Sequence, residues 1–303
     1  MLGVVYDMLN YTINKDKIVI VGDDEFNPKH ILECGQFFRF FINDAGNYVV
    51  LISCYYCEIL KTENGYEILS SHPKVFERLF NLKKDYSLIK EKLKVDPVIK
   101  SAMDACKGLR IVTNDRFETI CSFIISANNN IKRIKLIIER LCARIGKKIE
   151  GTDYYAFPTI DDFKGLDAEF FKSIGAGYRA NYLAELYHSY NELIKEDLDC
   201  LDTPTLRARL MKLKGVGRKV ADCILLFAFN REDVFPVDVW MERVYYENYS
   251  PNKLSRDKIA TELVNRYGRL AGYAQQYLFY YKTIEQQRGR GIKNKKIYQK
   301  CLT

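Results

Sequence analysis

Histidine, tryptophan and long apolar segments are all scarce in this sequence, and its cysteines follow no paired pattern. The three histidines, at positions 30, 72 and 188, are too far apart to form a recognisable metal or catalytic-triad spacing. Nine cysteines are an odd number, which excludes a small disulfide scaffold and fits a reducing compartment. No stretch approaches about eighteen uncharged apolar residues, and the N-terminus lacks a basic region followed by an apolar segment. We therefore expect a soluble, unexported protein.

The composition is that of an ordinary globular protein with one basic end. Of 303 residues, 48% are hydrophobic and 28% are charged, a balance that excludes disorder and low complexity. The length allows two domains of roughly 150 residues each, or one elaborated domain. The net charge is +8, but residues 288–303 carry six Lys or Arg and no acid, so the rest sums to +2. That segment fits either a solvated terminus or a contributor to phosphate binding, so charge alone assigns no function.

The spacing of apolar residues changes along the chain and predicts two regions. Strand-like segments occur around 18–21, 36–41, 47–53, 57–62 and 66–70. Asn64-Gly65 separates the last two segments and is a strong hairpin signal, because both central positions of a type I′ turn need positive φ. From Pro73 onward the apolar spacing is helical. We predict an α+β fold, with an N-terminal antiparallel β domain (1–95) followed by mainly α-helical domains (96–303).

Two helices with clear boundaries are predicted within residues 203–229. Thr203 followed by Pro204 fits a capping hydroxyl and a proline at the first helical position. Gly215 and Gly217 then allow a sharp turn that leaves backbone amides free at the start of the second helix. Free amides and the helix dipole favour an anion at this end. The segment is therefore either a phosphate-binding helix-hairpin-helix or a plain helical hairpin.

Two ionisable residues follow the hairpin turn. Lys219 lies in the first turn of the second helix, where the positive helix end disfavours a cation, so we predict a depressed pKa and a neutral, nucleophilic amine. Nineteen residues later, Asp238 ends the segment Pro236-Val237-Asp238 in the loop predicted at 230–240, a position that also fits a helix N-cap. An amine that attacks a sugar carbon and a carboxylate that stabilises the resulting positive charge are the groups that glycosidic bond cleavage needs.

Five ordered segments resemble the motifs of one family. They are CGQFFRF (34–40), SANNNIKRI (126–134), GYRANYL (177–183), the hairpin with Lys219 and the PVD that follows it, and LAGYAQQYLF (270–279). With these segments the chain resembles, over most of its length, the 8-oxoguanine DNA glycosylases of the helix-hairpin-helix superfamily. The resemblance implies an antiparallel β domain packed on two helical subdomains, with the active site between them. It also implies a bifunctional DNA glycosylase and β-lyase that flips out and excises 8-oxoguanine from duplex DNA.

The resemblance gives catalytic and DNA-binding roles to individual residues. Lys219 would be the nucleophile that forms a Schiff base, and Asp238 would stabilise the sugar cation. A second set would contact the opposite cytosine or the DNA backbone, with the tyrosine as a wedge: Asn128, Arg133, Tyr178, Arg179, Gly215 and Gly217. Extruding a base costs on the order of a few kcal/mol, which such contacts offset in part. For each arginine, a phosphate contact or a solvated face is the alternative.

A further set of residues would form the pocket for the damaged base. The resemblance implies that Gly35 offers its backbone carbonyl, that Gln275 offers its side-chain amide, and that Cys223 and Phe279 sandwich the ring. Lys219 and Cys223 are four residues apart on one helix, so they share a face. Taken singly, Cys223 and Phe279 also fit core packing, and Gly35 fits a turn glycine with positive φ.

The positions of cysteine and histidine in this sequence differ from those in related glycosylases, and the difference indicates which cofactors to expect. Trp240 stands where the family commonly has histidine. After Cys223 only Cys301 remains, so a four-cysteine iron–sulfur loop cannot be built. Cys54 and Cys57 form a C-x-x-C without a second pair at zinc spacing. We expect no metal or redox cofactor, apart from a structural cation that the hairpin carbonyls could hold.

The expected partner is double-stranded DNA containing 8-oxoguanine opposite cytosine, bound by a monomer without membrane contact. The expected location is the cytoplasm of a bacterium or the nucleus of a eukaryote. Two alternatives stay open: a glycosylase for alkylated or other oxidised bases, and a non-catalytic helix-hairpin-helix DNA-binding protein. The second alternative gives no reason for Lys219 and Asp238 to occur together.

Overall fold

The N-terminal part of the chain forms a six-stranded antiparallel sheet in the order β1-β2-β6-β5-β4-β3. The computed structural model describes residues 9–22 and 24–300, with side chains as far as residue 285. The strands are β1 (Asn10–Ile13), β2 (Lys17–Val21), β3 (Phe40–Ile42), β4 (Tyr48–Ile52), β5 (Tyr55–Thr62) and β6 (Gly65–Leu69). The antiparallel β domain is confirmed. Strand β1 was not predicted, and β3 is shorter than the segment 36–41 predicted for it.

The β5–β6 hairpin is confirmed, but its turn lies one residue earlier than predicted. Glu63 and Asn64 form the turn, and Asn64 keeps a negative φ. Gly65 already pairs with Thr62 as the first residue of β6. Its φ is +151°, and a Cβ built on it would lie 2.1 Å from the backbone oxygen of Ile20 in β2. The close approach of β2, rather than a type I′ turn, therefore requires glycine here.

Helices make up most of the described chain after the sheet, as predicted. They are α1 (Pro28–Leu32), α2 (Pro73–Leu79), α3 (Ser87–Leu93), α4 (Pro97–Ala105), α5 (Arg116–Ser126), α6 (Ile131–Ile145), α7 (Ala168–Ser173), α8 (Ala180–Leu193), α9 (Thr203–Leu210), α10 (Arg218–Ala228), α11 (Val239–Asn248), α12 (Arg256–Tyr267) and α13 (Ala271–Lys300). Side chains cap several of them: Asp96 accepts from the amides of Val98 and Ile99 at the start of α4. The predicted boundary at 95/96 falls just before this cap.

The helical region is organised around α5, which is buried on nearly every side. Residues 117–125 are all buried, including the polar side chains of Glu118, Thr119 and Ser122. Helix α10 packs directly against α5, and the Phe123 and Phe227 rings stack with centroids 5.7 Å apart. An apolar helix without a solvent face is typical of the centre of a core. The functional residues of α10 are thus carried on the most rigidly packed part of the fold.

A buried ion pair joins the sheet to α5. Arg39, just before β3, lies 3.8 Å from the Glu118 carboxylate, and both side chains are almost completely buried. Glu118 also accepts the amide of Ser53 at 2.9 Å, and Arg39 donates to the carbonyls of Ser53 and Tyr155. Burial raises the pKa of Glu118 to about 7, although Arg39 and the Ser53 amide oppose that shift. The junction between sheet and helices is therefore polar and sensitive to protonation.

The final helix, α13, is bonded to the loop that precedes Asp238. The Gly272 amide donates to the Glu232 carbonyl at 2.8 Å, and the Tyr273 hydroxyl donates to the Glu232 carboxylate at 2.5 Å. Lys84 pairs with the same carboxylate at 2.8 Å. These bonds fix the start of α13 against the loop that leads to Asp238.

Within the described residues, no helix combines the length and apolar character that crossing a membrane would require. The side chains of the basic segment 288–303 lie outside the described residues.

Candidate functional site

Helices α9 and α10 and the turn between them form the predicted helix-hairpin-helix. The N-cap of α9 is Asp202, whose carboxylate accepts the Thr205 amide at 2.8 Å. The prediction that Thr203 supplies the capping hydroxyl was wrong by one residue, since Thr203 is the first helical residue and donates to Asp233 at 2.9 Å. Pro204 lies in the first turn, but it is the second helical residue and not, as predicted, the first.

The two hairpin glycines have different surroundings. Gly215 has φ +83°, and a Cβ built there would lie 2.6 Å from the Tyr182 ring, so a larger residue would collide with α8. Gly217 is the N-cap of α10 and has open space around its Cα. No side chain caps α10, so its first backbone amides are free to donate hydrogen bonds to an anion.

Lys219 is the second residue of α10, with a partly buried side chain whose amine lies 5.5 Å from the centre of the Phe123 ring. Burial lowers the pKa of Lys219, but the adjacent Cys223 and Asp238 raise it by more, so the net pKa lies above its ordinary value. Burial raises the pKa of Cys223 to about 11, so at neutral pH Cys223 is a thiol while Lys219 carries its proton. The predicted depression of the Lys219 pKa is therefore wrong for the free protein, because Cys223 first and Asp238 second raise the pKa by more than burial lowers it.

Asp238 is the N-cap of α11, as its position predicted. Its Oδ1 accepts the amides of Trp240 and Met241, each at 2.9 Å. Both bonds use the same oxygen, and among the described residues no hydrogen bond to Oδ2 occurs. One oxygen thus fixes the carboxylate while the other remains for a developing positive charge nearby. Trp240 itself packs under the Arg243 guanidinium, 4.7 Å from the ring centre.

The structure brings two of the predicted base-pocket residues, Gly35 and Phe279, into contact and places Cys223 beside Lys219. A Cβ built on Gly35 would lie 3.2 Å from the Phe279 ring, so the glycine backbone rests against that ring. Cys223 is buried one turn beyond Lys219 in α10. Gln275 is 5% exposed, and its Oε1 is buried without a hydrogen-bond partner among the described residues. A buried, unpaired amide oxygen is costly unless a ligand satisfies it.

Two glutamines that the sequence analysis did not assign support the Gly35 turn. Gln36 is 1% exposed, and its side chain bonds the backbone of Ile31, Arg110 and Val112 at 2.7–3.0 Å. Gln276 donates to the Cys34 carbonyl at 3.0 Å. Gln36 stood within a recognised motif and could have been singled out, whereas no local signal relates Gln276 to a residue 242 positions away.

The predicted opposite-base residues gather on one surface, with distinct environments. Asn128 is exposed with φ +49°, and Tyr178 is 53% exposed. Arg133 is also exposed and donates to the Gly175 carbonyl at 3.2 Å. These three side chains are accessible to a ligand at the surface.

Arg179, by contrast, is only 3% exposed. Its guanidinium donates to the carbonyls of Ala127, Asn128 and Ala176, with 2.8 Å to Asn128. It lies 4.4 Å from the Tyr178 ring centre. Arg179 therefore holds the Asn128 loop in place, which the sequence analysis did not anticipate.

The hairpin and the Asn128 loop border the same groove. Its volume is about 470 Å³, and its walls are Ala127, Tyr178, Tyr182 and residues 211–217. Free helix amides and an exposed tyrosine thus face this groove, and Asn128 directly follows the lining residue Ala127. Among the described residues no three His, Cys, Asp or Glu side chains cluster as metal ligands.

Known proteins resemble the chain along most of its length. Residues 18–120 match the N-terminal domain of 8-oxoguanine DNA glycosylase, and residues 121–268 match the HhH-GPD superfamily of base excision DNA repair proteins. A probable N-glycosylase/DNA lyase of Methanothermobacter thermautotrophicus is 30% identical over 233 residues, which cover 68% of this chain and 72% of that protein. The N-glycosylase/DNA lyase of Saccharomyces cerevisiae is 33% identical, over 57% of this chain and 56% of its own length.

A solved structure extends the similarity to nearly the whole fold. The Clostridium acetobutylicum 8-oxoguanine glycosylase/lyase, crystallised with double-stranded DNA containing cytosine opposite 8-oxoguanine, superposes with a TM-score of 0.85. It is 35% identical, and the alignment covers 93% of this chain and all of that one. The family resemblance seen in the motifs is confirmed. The chain belongs to the 8-oxoguanine DNA glycosylases, within the HhH-GPD superfamily of base excision DNA repair proteins.

Proposed function

We propose that this protein excises 8-oxoguanine from duplex DNA and then cleaves the sugar–phosphate backbone, with Lys219 as the nucleophile. The observation that carries the proposal is the position of the Lys219 amine, partly buried in the first turn of α10 and within electrostatic reach of Asp238. An amine and a carboxylate in this relation supply both groups that displacement at a sugar carbon needs. We infer that the enzyme acts wherever the genome lies, in the bacterial cytoplasm or the eukaryotic nucleus.

The chemistry starts from a protonated lysine. An ammonium has no lone pair, so one proton moves from Lys219 to the base first; the neutral amine then attacks C1′ as the C1′–N9 bond breaks and the base departs with its electron pair, while Asp238 stabilises the positive charge on the sugar. One ammonium proton goes to the departing base, one goes to O4′ as the ring opens, and one stays on the iminium nitrogen. The iminium acidifies the C2′ hydrogen, and loss of that proton expels the 3′ phosphate. A flipped nucleotide displaces water from Lys219, which further disfavours the charged form of the amine.

The base pocket supports selection of the lesion. In 8-oxoguanine, N7 carries a hydrogen that guanine lacks, so the Gly35 carbonyl can accept a bond from the lesion alone. We propose that Gln275 contacts the Watson–Crick edge, since its buried Oε1 has no protein partner in the described residues. We propose that Cys223 and Phe279 flank the ring, because Gly35 rests on Phe279 and Cys223 neighbours the nucleophile.

The groove beside the hairpin supports a role in holding duplex DNA with cytosine opposite the lesion. We propose that Gly215 and Gly217 present α10 amides to a phosphate, and that Asn128 and Arg133 contact the orphaned cytosine. Tyr178, exposed at the groove, would fill the space that the flipped nucleotide leaves. Arg179 would act chiefly by holding the Asn128 backbone.

We also propose that the reaction takes no metal or redox cofactor, because Lys219 and Asp238 already provide the nucleophile and the charge stabilisation. Borohydride tests the whole scheme, since it reduces the iminium and links protein to DNA. With duplex containing 8-oxoguanine opposite cytosine, we expect the native protein to be trapped and Lys219→Gln to bind without being trapped. Lys195→Gln is the control, because Lys195 is an exposed lysine at the surface that forms an ion pair with Glu192, at 2.6 Å.

Trapping of Lys219→Gln at the native yield would show that another amine is the nucleophile. Preference for an alkylated purine in direct competition would replace 8-oxoguanine as the substrate. Binding without cleavage by the native protein would leave only a DNA-binding function.

A further inference from the structure

Gln276 makes a buried hydrogen bond between the two ends of the chain. Its side chain is 1% exposed, and its Nε2 donates to the Cys34 backbone carbonyl at 3.0 Å, across 242 residues of sequence. A carbonyl oxygen only accepts, so the amide nitrogen of Gln276 must be the atom that faces it. This bond fixes the orientation of the peptide that joins Cys34 to Gly35.

The residue that follows Gly35 is anchored independently through its side chain. The Gln36 side chain donates to the carbonyls of Ile31 and Arg110, and accepts the Val112 amide. Gly35 itself has φ +79°. Because Gln276 and Gln36 hold the residues on either side of Gly35, the surrounding structure, and not the turn alone, sets the direction of the Gly35 carbonyl.

The same turn of α13 carries three residues that bear on the pocket. Gln275 has the buried amide oxygen without a protein partner, Gln276 holds the Gly35 turn, and Phe279 lies against Gly35. Since these residues share one rigid helix, the Gln276 bond sets how far the Gly35 carbonyl lies from the Gln275 amide. Preorganised groups of this kind lose activity when their supports are displaced by about 1 Å.

We infer that Gln276 is a positioning residue for recognition of the damaged base: through Cys34 it aims the Gly35 carbonyl at the lesion and fixes its distance from Gln275. The inference rests on the proposed function, because it deepens the role of Gly35 and Gln275 in that pocket. Among the described residues, the hydrogen bond that Gln276 donates goes to Cys34 and not to Lys219, so we place its action in base recognition and not in the chemistry of the lysine.

The test compares two reactions of the same protein. The first is single-turnover excision of 8-oxoguanine, which uses the pocket; the second is strand cleavage at a preformed abasic site, which uses Lys219 but has no base to read. Gln276→Leu keeps the approximate size and removes the donor. We expect excision to fall about tenfold to a hundredfold, the range for an unsatisfied buried carbonyl, while cleavage at the abasic site stays within about twofold of native.

Ser70→Ala is the matched control, because Ser70 also donates from a buried side chain to a backbone carbonyl, that of Tyr56 in the sheet at 2.9 Å. It should leave the ratio of the two rates unchanged. Gln276→Glu provides a second test, which depends on pH. A protonated glutamic acid can still donate to the Cys34 carbonyl whereas a carboxylate repels it, so excision relative to native should fall as pH rises from about 5.5 to about 8.5.

Equal losses of excision and abasic-site cleavage in Gln276→Leu would overturn the inference and make the bond merely structural. So would native excision by both variants. Failure of the native protein to excise 8-oxoguanine would instead reject the proposed function, which keeps the two failures distinct.

Discussion

Replacing Gly35 with alanine tests the recognition of the lesion at the atom proposed to perform it. At φ +79° a Cβ costs about 1–2 kcal/mol, because left-handed backbone is unfavourable for any residue but glycine. The new methyl would also lie 3.2 Å from the Phe279 ring, so the ring must move by a few tenths of an ångström. If the strain is relieved by rotating the turn, the carbonyl leaves the lesion N7 hydrogen, a loss of about 1–3 kcal/mol and thus roughly tenfold to a hundredfold in rate.

Gly46→Ala separates backbone strain from loss of recognition. Gly46 has a nearly identical φ of +84° in the turn before β4, but a Cβ there meets no atom within 4 Å. Both variants should lower the melting temperature by roughly 2–6 °C, since each bears the same backbone cost. Only Gly35→Ala should lose excision in single-turnover kinetics. Excision at the native rate by folded Gly35→Ala, or an equal loss in Gly46→Ala, would refute this account of recognition.

Three further changes have defined outcomes. Asp238→Asn should keep the cap on α11 but lose the carboxylate, reducing excision by roughly tenfold to a thousandfold with binding retained; native turnover by the folded variant would contradict the role. Arg179→Ala should release the Asn128 loop and weaken the preference for cytosine, measured as excision opposite each of the four bases; a uniform loss at all four would indicate a general contact instead. For Glu118, the folded pKa of about 7 lies above the unfolded value, so the free energy of unfolding should fall by about 3 kcal/mol as pH rises from 4.5 to 7. Glu118→Gln should lack that slope in urea denaturation, whereas an identical slope in both proteins would assign it to other groups.

Much of the site was readable from the sequence because its chemistry depends on short, local spacings. The interval from Gly215 to Lys219 already placed an amine at a helix start, and PVD already placed a carboxylate at a cap. The capping prediction at Thr203 failed because Asp202 and Thr203 are neighbours and are both good capping residues. In the structure Asp202 caps the helix, and the Thr203 hydroxyl donates to Asp233 instead.

The features that escaped prediction depend on contacts between distant segments. The charge at the helix end predicted a depressed pKa for Lys219, but Cys223 and then Asp238 raise that pKa by more than burial lowers it, and the closeness of Asp238 follows only from tertiary packing. Arg179 was predicted as a base contact from its motif, whereas its burial against the Asn128 loop gives it a structural role as well. Long-range geometry of this kind follows from tertiary packing rather than from any local pattern.

The bond from Gln276 to the Cys34 carbonyl also orders events during synthesis. On a ribosome that adds about 5–20 residues per second, Gly35 would wait roughly ten to fifty seconds before the residues of α13 that complete its pocket are made. A chain released after residue 238 but before α13 would already contain Lys219 and Asp238. It would lack Tyr273 and Tyr277, which are almost fully buried, so the core would be open. A chain that ends before α13 therefore contains the proposed nucleophile but none of the α13 residues, Gln275, Gln276 and Phe279, that the proposed base pocket needs.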